Sequence, residues 1–116
     1  MLIENINFTQ AQLNATSGTV KTITDVDIVI NSNSNKHYRP FAIRVNNLSG
    51  ATINFALFTD FEYSAYLLNN AISNLMPLAN NTKEELNDPL GEITTIFCSG
   101  TVTSHTSGVN FVVIKE

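Results

Sequence analysis

The chain has 116 residues, with six basic and ten acidic side chains, a net charge of −4 and a single cysteine. That length favours one domain, spanning 1–116, with enough chain to bury roughly two-thirds of its unfolded surface without a disulfide or a metal. The cations Lys21, Lys36, Arg39, Arg44, Lys83 and Lys115 are spread thinly, which excludes the clustered charge a nucleic-acid binder needs to displace counterions from phosphates.

Taken in chain order, "MLIENINFTQ" has neither a basic segment nor a long apolar run, so no signal peptide is expected there. No run approaches the ~20 apolar residues of a membrane span. Residues 2–8 alternate weakly and predict a short edge strand, and "NATSG" (14–18) predicts a turn. "TVKTITDVDIVI" (19–30) reads as one long strand, with Val20, Thr22, Val26, Ile28 and Ile30 on one face because side chains alternate with period two. "NSNSNKHYRP" (31–40) reads as a polar loop ending at a strand-opening proline. In "PFAIRVNNLSGATINFALF" (40–58), Phe41, Ile43 and Val45 line one strand, and Ile53, Phe55 and Leu57 the next. "NNLSG" between them supplies residues that tolerate positive φ, so a hairpin is expected.

Residues 60–76 are ambiguous. Phe61, Ala65, Leu68, Ile72, Leu75 and Met76 follow a helical spacing, and Thr59 with Glu62 matches a capping box. The aromatic run "FEYSAYLL" and its β flanks favour a strand followed by an irregular segment. "NTKEELNDP" carries a second box, Thr82 with Glu85, which predicts a short helix near 82–87 stopping at Pro89. "EITTIFCSGTVTS" (92–104) and "GVNFVVIKE" (108–116) read as strands joined by "HTSG", with Gly100 a candidate bulge. Such a series of strands with regular turn signals is all-β: an antiparallel two-sheet sandwich or jelly roll.

Catalytic patterns are absent. There is no G-x-S-x-G elbow and no phosphate-cradling glycine loop. Asp25 and Asp27 lie two apart and share a strand face, roughly 6.5–7 Å apart along the chain. That is a possible glycosidase separation, but also the spacing of any D-x-D on a solvated face. Two carboxylates fall short of the six to eight oxygens calcium takes. His37, His105 and Cys98 lack a zinc spacing. Cys98 reads as a buried apolar residue, and Glu84, Glu85 and Asp88 as a solvated acidic face. No cofactor, metal or catalytic residue is therefore expected.

What remains is surface. Charged residues make up 14% of the chain against a usual ~25%, while Asn occurs 16 times, Thr 13 and Ser 9. A/T-rich coding bias gives the same excess of Asn. Physically, such a surface packs against other molecules with few charges to desolvate. The cluster with binding character is "KHYRP" (36–40), where Tyr38 and Arg39 are the candidate partner-binding residues.

The stretch 40–58, with Arg44, Asn47, Ser49 and Gly50 leading into Phe55, Leu57 and Phe58, resembles the small β-sandwich and jelly-roll proteins of bacteriophage particles, the auxiliary or decoration capsid proteins. The resemblance covers about twenty residues. It implies a non-enzymatic virion protein that binds major capsid or other virion proteins, with copies of itself as further partners, and stabilises the shell. It implies no nucleic-acid or membrane partner. The alternative class is a carbohydrate- or receptor-binding module with Tyr38, Tyr63 and Tyr66 as stacking faces. Two further readings are a small jelly-roll enzyme using Asp25 or Asp27 and a module of a bacterial surface protein.

Overall fold

A computed structural model describes residues 1–87, 90–103 and 108–116. Two four-stranded antiparallel sheets face each other across one apolar core. The first contains β1 (Leu2–Phe8), β5 (Pro40–Leu48), β8 (Thr82–Leu86) and β10 (Gly108–Lys115), in the order β1-β10-β5-β8. The second contains β2 (Thr19–Thr22), β6 (Ile53–Thr59), β7 (Met76–Leu78) and β9 (Ile93–Gly100), in the order β2-β9-β6-β7. A separate hairpin is made of β3 (Val26–Asn31) and β4 (Ser34–Tyr38). Two helices, α1 (Gln10–Leu13) and α2 (Asp60–Asn69), complete the described elements.

Setting the β3–β4 hairpin aside, the pairing has a simple rule. First strand meets last, β1 with β10; second meets second-last, β2 with β9; then β5 meets β8 and β6 meets β7. This is one long hairpin folded over and wrapped around a core, the connectivity of a jelly roll. Period-two alternation supplies that core. Ile6 and Phe8, Ile43 and Val45, Ile53 and Phe55, Ile96 and Cys98, and Val109, Phe111 and Val113 all point inward and are buried. Phe111 sits at the centre, edge-on to Phe8 at 5.5 Å and to Phe55 at 5.7 Å between ring centroids.

The expected hairpin at 40–58 is not one. β5 and β6 lie in different sheets, so "NNLSG" carries the chain across the sandwich as an arch. The link from β7 to β8 crosses at the same place, and the two arches are stitched together by Asn47. Its buried amide nitrogen donates to the carbonyls of Ala51 (2.9 Å), Leu78 (2.9 Å) and Ala79 (3.1 Å), and its Oδ1 accepts from Ser49 N–H at 3.0 Å. The backbone joins in, Asn81 N–H donating to Asn47 C=O at 2.8 Å. Gly50, at φ 89°, takes the left-handed turn and donates its N–H to Asn80 Oδ1.

Five other expectations are corrected. The segment 82–87 is the edge strand β8, not a helix. Thr82 turns its hydroxyl to Ala79 C=O instead of capping, and the strand pairs with β5 from Ile43↔Leu86 to Asn47↔Thr82. Residues 60–69 are helical, not extended. The Thr59–Glu62 box is fully formed, at 3.2 and 3.0 Å, and the helix ends at Asn70 in the left-handed conformation. The long strand 19–30 breaks at Ile23–Asp25, where Ile23 is buried and Thr24 is held by Glu4. The polar loop 31–40 contains β4, the return strand of the hairpin. Gly100 ends β9 opposite Ile53 without a bulge; the register shift in that pair falls between Phe58 and Thr59. Asp88, Pro89 and His105 lie outside the described residues.

Candidate functional site

The end of β2, the start of β5, the β6–α2 corner and the segment Gly91–Thr94 surround a cleft of about 640 Å³. Polar groups concentrate there. Arg39 Nη1 lies 3.2 Å from Glu92 Oε1, and Thr94 donates its hydroxyl to Asp60 Oδ1 at 2.8 Å. At the rim stand Asp25, Asp27 and His37. Strand pairing sets Asp27 directly opposite His37, and Asp25 stands in the break just before β3. The His37 ring lies between the carboxylates, with Nε2 3.1 Å from Asp25 Oδ1 and Nδ1 hydrogen-bonded to Asp27 Oδ1.

The spacing rule for Asp25 and Asp27 identified their shared face but not their partner. His37 was expected in a loop, and a residue in a loop has no register. The missing signal was the turn at "NSNSN", which, read as a hairpin tip, places residue 37 opposite residue 27. The same strand divides "KHYRP". Lys36 and Tyr38 take one face, with the ammonium 5.3 Å from the ring centroid, while His37 takes the other and Arg39 follows the end of the strand. Tyr38 is half-buried and Arg39 exposed. The side chains of Asp25, Asp27 and His37 are 75%, 55% and 36% exposed. A general acid near neutrality is ordinarily desolvated, and these carboxylates stand in water.

Cys98 is fully buried beneath β9, and burial pushes its thiol up to about 12, against a smaller lowering by the Ser99 backbone hydrogen bond. Its thiolate is therefore scarce at any ordinary pH. The folded protein is expected to leave a colourless disulfide reagent unreacted for hours at pH 8, with one thiol appearing on denaturation. Rapid stoichiometric labelling of the native protein would show the burial to be wrong.

Helix α2 lies across the outer face of the second sheet. Tyr63 and Tyr66 dock it: Tyr66 stacks on Phe58 at 5.5 Å and meets Phe97 at 5.9 Å. Both tyrosines are thus half-buried packing residues, which removes two of the three stacking faces expected of a carbohydrate module. The other face of the helix is unusual. Phe61 and Leu68, seven residues apart with Ala65 between, are 83% and 86% exposed. Of the residues at helical spacing, Phe61 and Leu68 thus face outward, whereas Ile72 and Met76, beyond the helix, pack against the core; the docking stripe is aromatic at i, i+3. Ile28, Val29 and Ile30, consecutive on β3 and so divided between its two faces, are also exposed; among the described residues neither strand of that hairpin pairs with another. Among the described residues no helix is long and apolar enough to cross a membrane.

No family model matches the chain, and no curated protein matches it. Among solved structures it is similar to the coat protein of tobacco streak virus, with a TM-score of 0.40 and 9% identity over 98% of this chain and 85% of that one.

Proposed function

We propose that the chain is a non-enzymatic structural subunit of a virion, an auxiliary or decoration protein that acts by burying its apolar faces against other shell proteins. The observation that carries this reading is the Phe61–Ala65–Leu68 stripe. A helix already docked through Tyr63 and Tyr66 gains nothing in water from a second apolar row. Burying a Phe or Leu side chain is worth about 1.5–3 kcal/mol, and a contiguous apolar patch with a polar rim marks a protein contact. Ile28, Val29 and Ile30 add exposed apolar surface on the β3–β4 hairpin. The neutral Asn, Thr and Ser surface between them lets neighbours abut with few stranded charges. Tyr38 and Arg39 are proposed as rim contacts, the guanidinium exchanging Glu92 for a carboxylate on the partner. Repetition on a lattice turns contacts of modest area into large avidity. A jelly roll also serves lectins and enzymes, so the fold by itself does not select this role.

The test is the double variant F61E/L68E. Both positions are exposed, so its thermal unfolding is expected to match the wild type within about 0.5 kcal/mol. Wild-type protein is expected to cosediment with particles stripped of it, and the variant to stay in the supernatant. Equal binding of the two, or no binding by the wild type, overturns the reading.

A further inference from the structure

We infer that Asp25, Asp27 and His37 form a binding site for a divalent transition-metal cation, with zinc as the natural probe. One donor atom from each residue lies within 4.8 Å of the others. Tetrahedral coordination with bonds of about 2.1 Å separates donors by about 3.4 Å. A cation takes one ring nitrogen, so closing on it asks the carboxylate now at the other nitrogen to swing round, a side-chain rotation open to exposed residues. The register sets Asp27 opposite His37, and Asp25, in the break just before β3, brings its carboxylate to 3.1 Å from the same ring.

Charge points the same way. Two carboxylates converge on one imidazole, so the cluster keeps an excess of negative charge even when the ring carries a proton; a dication cancels it. The adjoining cleft reinforces this, because Asp25, Asp60 and Glu92 line it against the single guanidinium of Arg39 among the described residues. A concave wall of one sign concentrates counter-ions. The donor set selects the class of ion. An imidazole nitrogen with two carboxylate oxygens suits zinc, cobalt, nickel or manganese, whereas calcium and magnesium prefer oxygen alone. Three protein donors leave further coordination positions for water.

The consequence is mechanical. Asp25 belongs to the segment leading out of the second sheet, and His37 lies two residues before Arg39, whose backbone N–H and C=O pair with Glu116. A cation joining them fixes the angle at which the β3–β4 hairpin leaves the body. This inference stands apart from the proposed virion role.

The experiment is a Zn²⁺ titration of chelator-treated full-length protein by calorimetry and native mass spectrometry, with Co²⁺ absorption as a second readout. One zinc per chain is expected, and visible cobalt bands without a thiolate charge-transfer band. D25N/D27N and H37A are each expected to weaken binding at least about tenfold while unfolding at the wild-type temperature; C98S and H105A are expected to bind as wild type. No stoichiometric uptake, uptake undiminished in D25N/D27N, or a thiolate band overturns the site.

Discussion

Replacing Asn47 by aspartate, a change of one NH₂ for one oxygen, is expected to cost about 4 kcal/mol or more, a large part of the ~5–15 kcal/mol that holds a domain together. The side chain is fully buried and its nitrogen faces three carbonyl oxygens, those of Ala51, Leu78 and Ala79. Aspartate presents an acceptor oxygen to all three carbonyls and buries a charge where the native side chain donated. Asn47→Ala is the milder case, at about 3 kcal/mol, because it leaves the carbonyls unsatisfied without setting an anion against them. Denaturant unfolding of the three proteins gives the ranking wild type, Ala, Asp. If aspartate is tolerated within about 1 kcal/mol, the two arches are not held by this residue.

The second large effect is expected at the other end of the sandwich. Lys115 lies on the inner face of β10, 2% exposed, with its ammonium 2.6 Å from Glu4 Oε1 and 2.7 Å from Thr24 C=O. Glu4 also accepts the Thr24 N–H and hydroxyl. Removing the carboxylate, Glu4→Ala, strands a buried cation and is expected to cost about 3–5 kcal/mol. Removing both charges together, E4L/K115M, is expected to cost far less, because nothing is then left uncompensated.

The pair also sets a pH dependence. Burial disfavours the Glu4 anion, but hydrogen bonds from Lys115 and Thr24 and the attraction of the ammonium outweigh it and hold the carboxyl below its usual range. A folded-state value below the unfolded one means the stabilisation is complete above about pH 4.3 and is lost as pH falls through the folded value. Stability profiles of the wild type and E4L/K115M should therefore converge on acidification. Parallel profiles would show that Glu4 titrates alike in both states.

Elements with an apolar face on the core were legible. β1 and β10 alternate because one side meets the core, while β6 and β9 are apolar on both sides because α2 covers their outer face; the inward set is written in Ile6/Phe8, Ile53/Phe55, Ile96/Cys98 and Val109/Phe111/Val113. Elements without that burial were not. β4 and β8, "SNKHY" and "TKEEL", are polar throughout because one belongs to a hairpin standing in water and the other to a sheet edge. Their pairing partners define them, and a partner thirty residues away leaves no local mark. The arch at "NNLSG" shows the same limit. Its turn residues say that the chain bends; which sheet receives the next strand is decided by Asn47 reaching residues 78 and 79.

The site divides along the same line. Asp25 and Asp27 on one face followed from spacing, whereas His37 needed a cross-strand register that only a recognised hairpin provides. The helical period of Phe61, Ala65 and Leu68 was visible, yet the aromatic run beside it favoured a strand, and the period alone gives no direction. Phe61 and Leu68 are more apolar than the docking pair by composition, and only the position of Phe58 and Phe97 beneath the helix shows that Tyr63 and Tyr66 face inward.

The nesting of strands has a kinetic side. β10, residues 108–115, occupies an interior position of its sheet, with β1 on one flank and β5 on the other. During synthesis the opening strand therefore waits for a mate more than a hundred residues downstream, and the first sheet lacks one of its two interior strands until that segment leaves the ribosome. Loop closure over such separations is slow, so a stalled nascent chain ending before residue 108 is expected to stay protease-sensitive and to lean on chaperones, gaining its resistance abruptly rather than strand by strand.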